Sequence, residues 1–407
     1  MKEIQGGVTA AKGFEAAGVA AEIKYKGRTD MAIVYSQTPC VAAGTFTTNV
    51  AKAAPVTWDQ ELVKESDFVQ AIIVNSGIAN ACTGQEGYGY CKETAEAASL
   101  ALSIPVKSVL LGSTGVIGKQ LPMDRVKKGV EKLGEAKSDS IEAGTAAAKA
   151  IMTTDTCEKE LAVQIEIGGK TVTIGGMAKG SGMIHPNMCT MLSFITTDAV
   201  ITKSALQKAL SEDVNDTYNM ISVDGDTSTN DTVLVLANGM AENAEIQEGT
   251  EEYILFKKAL HEVNVYLAKK IAGDGEGATA LFEVRVVGAK TKEDAVKLSK
   301  SVACSNLTKT AIAGHDANWG RIICAMGYSG VQFDPEKVDL FFESSAGKIQ
   351  IAENGVALDF SEEKATEILS QSAVTATADV KMGSETATAW GCDLTHGYIE
   401  INADYRS

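Results

Sequence analysis

The sequence predicts an α/β (or α+β) fold built in layers, with more than one sheet. Three observations carry that expectation. Apolar runs of strand length end in small polar loops, as in VQAIIVNSG (69–77) and SVLLGSTGVIGK (108–119). Stretches of helical character are interleaved with them, as in YCKETAEAASLALSI (90–104) and TKSALQKALSEDVNDTYNMI (202–221). Glycine-centred hairpins recur, and no fixed repeat or low-complexity linker interrupts the 407 residues.

Taken in order, AEIKYKGRTDMAIVYS (21–36) reads as a hairpin around a charged, Gly-containing turn. VQAIIVNSG is a continuous apolar run, the pattern of a strand buried on both faces. A helix over 90–104 follows, then a second strand and Gly-rich loop over 108–119. MDRVKKGVEKLGE (123–135) and SDSIEAGTAAAKAIM (138–152) read as helices, the latter capped by Ser138 or Ser140. VQIEIGGKTVTIGG (163–176) is a hairpin whose Gly168-Gly169 pair supplies the positive φ of a tight turn. MLSFITTDAVI, DTVLVLA and ALFEVRVVG read as strands, with helices over 202–221, 250–272 and 291–303. Composition shifts near residue 285, which divides the chain into 1–284 and 285–407.

Composition narrows function. The chain is 45% hydrophobic and 22% charged, which is globular, and 37 basic against 53 acidic residues give a net charge of −16. That balance argues against nucleic acid or anionic membrane as partner. Without an apolar run of membrane-spanning length or a secretion signal at the N-terminus, a cytoplasmic protein is expected. The eight cysteines form no C-x-x-C pair and the four histidines are isolated, so neither a disulfide frame nor a metal site is expected.

Familiar cofactor motifs fail in turn. GSTGVIGK has phosphate-loop character, but its spacing is one residue too long and Gln120 stands where Ser or Thr would hold a metal. KGSGMIHP lacks the third glycine of a dinucleotide fingerprint, and no G-x-S-x-G elbow occurs. What remains is seven small polar loops: 75–84, 112–118, 153–157, 178–182, 222–231, 272–279 and 314–322. Singly each is a turn; together they imply a cleft built from many strand ends.

The junction KGSGMIHPNMCTMLSF (179–194) sets Cys189 and Thr190 side by side at the start of an apolar strand. A threonine hydroxyl is a weak nucleophile unless a base adjoins it. Its own α-amine, with an ordinary pKa of about 7.7 to 8.0, serves when the residue begins a chain. Thr190 would gain that amine only by scission after Cys189. A strand-start threonine behind a small buried cysteine fits the same residues, and Cys189 is itself a rival nucleophile.

NSGIANACTG, STGVIG, GSGMIHPNMCTML, VDGDTSTNDT, DANWGR and INADY, in that order along the chain, closely resemble the glutamate N-acetyltransferase (ornithine acetyltransferase) family of arginine biosynthesis. The resemblance implies autocatalytic cleavage between Cys189 and Thr190, giving an α chain of 1–189 and a β chain of 190–407. Cys189 departs from the family's usual Ala. The implied reaction moves an acetyl group from N2-acetylornithine to L-glutamate through an acetylated Thr190. Thr114 and Gly115 would supply the oxyanion donors, each typically worth about 2.7 to 4 kcal/mol. Substrate contacts carry over to Thr153, Lys179, Glu276, Asn402 and Ser407, besides Thr190. Asp224, Asp226 and Trp319 are expected to fix loops and packing.

The family fold implied is a layered αββα sandwich with a smaller C-terminal α/β domain whose tail returns to the active site. No metal or cofactor is implied, the cleaved chains are expected to assemble as α2β2, and acetyl-CoA as a further donor stays open. Two rivals remain: an aminopeptidase or amidohydrolase using the same nucleophile, and an uncleaved paralogue that binds amino acids.

Overall fold

The computed structural model of the 407-residue chain describes residues 1–185 and 191–404. Two compact units form. The first comprises Met1–Gly180, Pro186–Asn219 and Thr227–Leu267, and the second Ser181–His185, Met220–Asp226 and Ala268–Ser407.

In the first unit the strands are β1 (Lys2–Ile4), β2 (Phe14–Val19), β3 (Met31–Phe46), β4 (Val69–Ile78), β5 (Val109–Val116), β6 (Lys159–Ile167), β7 (Lys170–Lys179), β8 (Leu192–Thr197) and β9 (Thr232–Ala237). They join in the order β1-β6-β7-β8-β9-β3-β4-β5, with β2 beside β3. β3 is the pivot. Its first half pairs with β2 and β4, and beyond a register shift between Tyr35 and Cys40 its second half pairs with β9. One long strand therefore serves two layers. The layers face each other, since a Cβ on Gly112 of β5 would lie 3.0 Å from the Phe194 ring of β8.

Helices cover both outer faces. α1 (Ala54–Glu65), α2 (Gly84–Leu102), α3 (Met123–Ala136) and α4 (Ile141–Ala150) pack on the β2, β4 and β5 side. α5 (Lys203–Asp213) lies on the second half of β3, while Val263 and Leu267 of α6 (Glu251–Gly273) press on Gly176 of β7. This is the expected αββα sandwich. Its interior is apolar: Ile72, Ile73, Val74, Leu110, Phe194 and Leu234 are buried, which is why these strands read as unbroken apolar runs.

The second unit holds β10 (Leu281–Ala289), α7 (Lys292–Ala303), α8 (Asn306–Ala313), α9 (Trp319–Gly327), β11 (Asp339–Ser344), β12 (Gly347–Glu353), β13 (Val356–Ala357), α10 (Glu362–Leu369), β14 (Ala373–Asp379), β15 (Glu385–Cys392) and α11 (His396–Asn402). Its sheet runs β13-β12-β11-β14-β10-β15, with α7 packed on β10 and β15. Residue 285 lies inside β10.

Three local readings need correction. The helix expected over 202–221 ends at Asp213, with only a short 3-10 turn at Tyr218–Met220 beyond it. The hairpin expected over 21–36 is formed instead by β2, at 14–19, and the start of β3. The Asp30 carboxylate accepts the Ala21 and Ile23 amides at 2.7 and 2.6 Å and so holds the intervening residues in a loop, a local acceptor winning over alternation. α2 starts at Gly84, six residues earlier than expected, because its first turns carry three glycines. Gly87 is there for space: a Cβ would stand 2.0 Å from the Thr83 hydroxyl. Between the two caps offered for α4, Ser140 is the one used, accepting from Ala143 at 3.2 Å.

Candidate active site

In the first unit, β4 and β5 run parallel and end side by side, Gly77 opposite Gly115, with a bulge at Ile78. Gly115 has φ of +128°, and a Cβ there would lie 2.2 Å from the Gly77 carbonyl carbon. No other residue fits without moving backbone. The turn is braced by side chains. Asn230 donates to the Ala79 and Ser113 carbonyls at 2.6 and 2.8 Å. The Ser113 hydroxyl donates to Asn75 at 2.6 Å, and Asn75 in turn donates to the Ile78 carbonyl at 2.8 Å. Thr114 and Gly115 themselves stay half-buried. α1 secures the outer edge of β5: the Trp58 indole donates to the Val109 carbonyl at 3.0 Å, and Asp59 accepts the Leu111 amide at 2.8 Å. Total burial pushes the Asp59 carboxyl well above its ordinary value.

Beside that turn lies a buried charged cluster. Lys179, at the end of β7, is 7% exposed rather than a solvated loop lysine. Its ammonium donates to the Thr153 hydroxyl at 2.8 Å and the Thr114 hydroxyl at 3.3 Å. Asp155 Oδ2 stands 3.9 Å from the same ammonium. Asp155 also accepts Lys159 Nζ at 2.8 Å, the Gly180 amide at 2.7 Å and the Thr153 amide at 3.0 Å. Burial opposes ionisation of Asp155, but the Lys179 and Lys159 ammonium groups outweigh it and hold the carboxyl far below the usual range. Arg28 fixes the loop from outside, donating to the Met152 and Thr153 carbonyls at 2.8 Å each.

The second unit brings together another set. Glu276 is 7% exposed, not a solvated turn carboxylate, and its Oε2 accepts from Asn402 Nδ2 at 2.5 Å. A Cβ on Gly182 would lie 2.3 Å from the Glu276 carboxyl carbon, so a larger residue there would displace that carboxylate. Asn402 also donates to the Tyr398 carbonyl at 3.0 Å, and the Thr395 hydroxyl ties the start of α11 to the Gly277 carbonyl at 2.6 Å. Asp224 accepts the amides of Met183 and Ile184 at 2.6 and 2.8 Å and the Tyr398 hydroxyl at 3.2 Å. Burial first, and then Asp224, push the Tyr398 phenol up. His185 Nδ1 meets Ser222 Oγ at 3.1 Å and Cys304 Sγ at 3.5 Å; burial lowers its pKa.

The residues singled out in the sequence therefore separate cleanly. Thr114, Thr153 and Lys179 touch in the first unit, and Glu276 and Asn402 in the second. Cys189, Thr190 and Ser407 lie outside the described residues. Sequence reasoning missed Asp155, Lys159, Arg28, Asn230 and Tyr398. Asp155 and Asn230 fell inside polar loops already noted, but nothing there marked which member would be buried. Burial pushes the Cys40 and Cys392 thiols up to about 12 and about 11, making them packing residues. Among the described residues no group of three His, Cys, Asp or Glu side chains could hold a metal ion. No described helix is long and apolar enough to cross a membrane.

A layered α/β sandwich with a buried lysine and hydroxyls gathered at its strand ends defines an enzyme scaffold. The chain belongs to the ArgJ family, whose model matches residues 15–407, and this places it among the acyltransferases of arginine biosynthesis. It is 54% identical over 397 residues to the arginine biosynthesis bifunctional protein ArgJ of Thermotoga neapolitana, covering 97% of this chain and 99% of that one. Its identity to the protein of the same name from Caldanaerobacter subterraneus subsp. tengcongensis is 52% over 407 residues, covering both chains fully. The crystal structure of the Bacillus halodurans ArgJ protein superposes with a TM-score of 0.51 at 48% identity, over 53% of this chain and 99% of that chain.

Proposed function

We propose that this protein transfers the acetyl group of N2-acetylornithine to L-glutamate by double displacement through an acetyl-Thr190 intermediate. Thr190, freed at its α-amine by scission after Cys189, attacks the acetyl carbonyl while that amine takes the hydroxyl proton. The Thr114 hydroxyl and the Gly115 amide receive the developing oxyanion, at a turn too tightly packed to reorganise during reaction. The protonated Thr190 amine gives its proton to the ornithine nitrogen, which leaves as the amine; glutamate enters, its neutral α-amine attacks the acetyl-Thr190 ester and passes a proton to the Thr190 amine, which returns it to the departing Thr190 oxygen.

The observation that supports this reading best is the Lys179 ammonium on both the Thr114 and Thr153 hydroxyls. It sets a cation for a substrate α-carboxylate next to the proposed oxyanion donors. The two substrates share that carboxylate and differ in side-chain charge, so neutral dipoles suit the rest of the pocket. Glu276, Asn402 and Ser407 enter the proposal as further substrate contacts. Scission would leave pieces of 189 and 218 of the 407 residues. The 53% share matched by the whole Bacillus halodurans chain accords with the larger piece.

Acetyl-CoA is proposed as a second donor, favoured by the word bifunctional in the relatives' names; a cytoplasmic α2β2 assembly belongs to the same proposal. Intact mass with N-terminal sequencing tests the core of it. Two fragments, one beginning Thr-Met-Leu-Ser, are expected, with acetylglutamate appearing from acetylornithine only when glutamate is added. A single species at 42.7 kDa in active material removes the mechanism. Free acetate formed without glutamate favours a hydrolase instead.

A further inference from the structure

Three groups proposed to handle substrate or lead to them, the Lys179 side chain and the Thr153 and Gly180 backbones, converge on one carboxylate that the mechanism above does not use. Asp155 and Lys159 both have fully buried side chains. Oδ1 of Asp155 takes the Gly180 amide and the Lys159 ammonium, while Oδ2 takes the Thr153 amide and faces the Lys179 ammonium. Three separate stretches of chain, 153–155, 159 and 179–180, are thus referenced to a single anion. Hydrogen bonds to buried charged groups are stronger than neutral ones and geometrically demanding. Lys179 itself stands 3.9 Å from that anion, an ion-pair distance, so Asp155 acts on it through charge and through the Gly180 and Thr153 backbones that it holds in place.

We infer that Asp155 and Lys159 are positioning residues for carboxylate recognition: Asp155 fixes and keeps cationic the Lys179 ammonium, and Lys159 balances Asp155 so that it does not overcommit to Lys179. Among the described residues, Asp155 bears on Lys179 at 3.9 Å and Lys159 bears on it across Asp155; Arg28 bears on the same loop through the Met152 and Thr153 carbonyls. Loss of the Asp155 charge leaves two buried ammonium groups near each other without their shared anion. Lys179 then loses its proton more readily, and its grip on a carboxylate fails as pH rises. Because donor and acceptor substrates share the α-carboxylate, both suffer alike. This rests on the reading of Lys179 as the partner of that carboxylate.

The test is a pH profile of kcat/KM for both substrates on fully cleaved protein, with cleavage checked by mass. In D155N the alkaline limb is expected to move down by about one to three pH units, with the loss falling on KM for acetylornithine and glutamate together. Adding K159M to D155N removes the competing ammonium and is expected to move the limb back toward wild type. A merely structural role predicts a pH-independent loss in D155N and a worse double variant; either result overturns the inference. Should D155N fail to fold, K159M alone decides. With Asp155 left to Lys179, its alkaline limb is expected at or above the wild-type position, and a downward shift overturns the inference. The underlying reading has its own control: wild-type protein turning over acetylornithine and its α-carboxamide equally well would refute the role of Lys179, whatever the variants do.

Discussion

The two clusters of candidate residues are built in different ways. In the first unit, Lys179 and Thr114 sit at strand ends and Thr153 in the loop before β6, around a buried carboxylate, with backbone amides and Arg28 holding the loop. In the second, Glu276 is buried but its partner Asn402 projects from α11, a seven-residue helix of which no residue is buried. One cluster is set by the sheets. The other is held by the Thr395 hydroxyl on the Gly277 carbonyl and by side-chain bonds from the helix to Glu276 and Asp224. The contrast teaches that a buried ion network and a short exposed helix hold a side chain in place by different means.

The sharpest way to break that contrast is Lys179→Met. It is expected to lower kcat/KM for both substrates by at least about a hundredfold, the scale of losing a desolvated charged contact of roughly 3 kcal/mol; a loss for only one substrate would place Lys179 on the side-chain end instead. Gly115→Ala comes next. With its Cβ driven into the Gly77 carbonyl, the turn proposed to hold the oxyanion must shift, so kcat is expected to fall about tenfold to a hundredfold with KM little changed. Steady-state kinetics on cleaved protein read both.

Asn402→Ala should cost less, roughly threefold to tenfold in KM, and unequally between acetylornithine and glutamate. An equal and larger loss would make the second cluster as rigid as the first. Thermal melts against pH supply the smallest effect. The carboxyl of Asp155 is depressed in the fold, so its contribution is complete above the ordinary carboxylate pKa of about 3.9 and is lost as pH falls below it. D155N should flatten that acid limb. Asp59 works in the opposite direction: its raised carboxyl favours the fold at low pH and costs stability as pH rises, so D59N should gain relative stability toward neutral pH.

How much of this was legible follows from what local sequence encodes. β4 and β5 were visible because both faces are buried and the strands read as apolar runs. The hairpin at Gly168-Gly169 was visible because its φ values of 57° and 77° demand glycine. Residues 21–36 misled because the alternation was real while Asp30 captured the local amides. The resemblance named Thr114, Lys179 and Glu276 as candidates, whereas Asp155 and Lys159 depend on burial that no local pattern announces. Asp155 lies in a loop, and its partners Gly180 and Lys179 are more than twenty residues away. The role of Asn230 as a brace is equally nonlocal, since it spans to Ala79 and Ser113.

The order of strands carries one more consequence. β8 and β9 are flanked by β7 on one side and β3 on the other, so the strands that follow residue 190 are stitched in by ladders from strands that precede residue 189. A nick at that point severs connectivity without opening an edge. Neither fragment could depart without unzipping two ladders at once, so nicked protein should melt in a single transition and refuse to trade fragments with a differently labelled batch, even at high dilution.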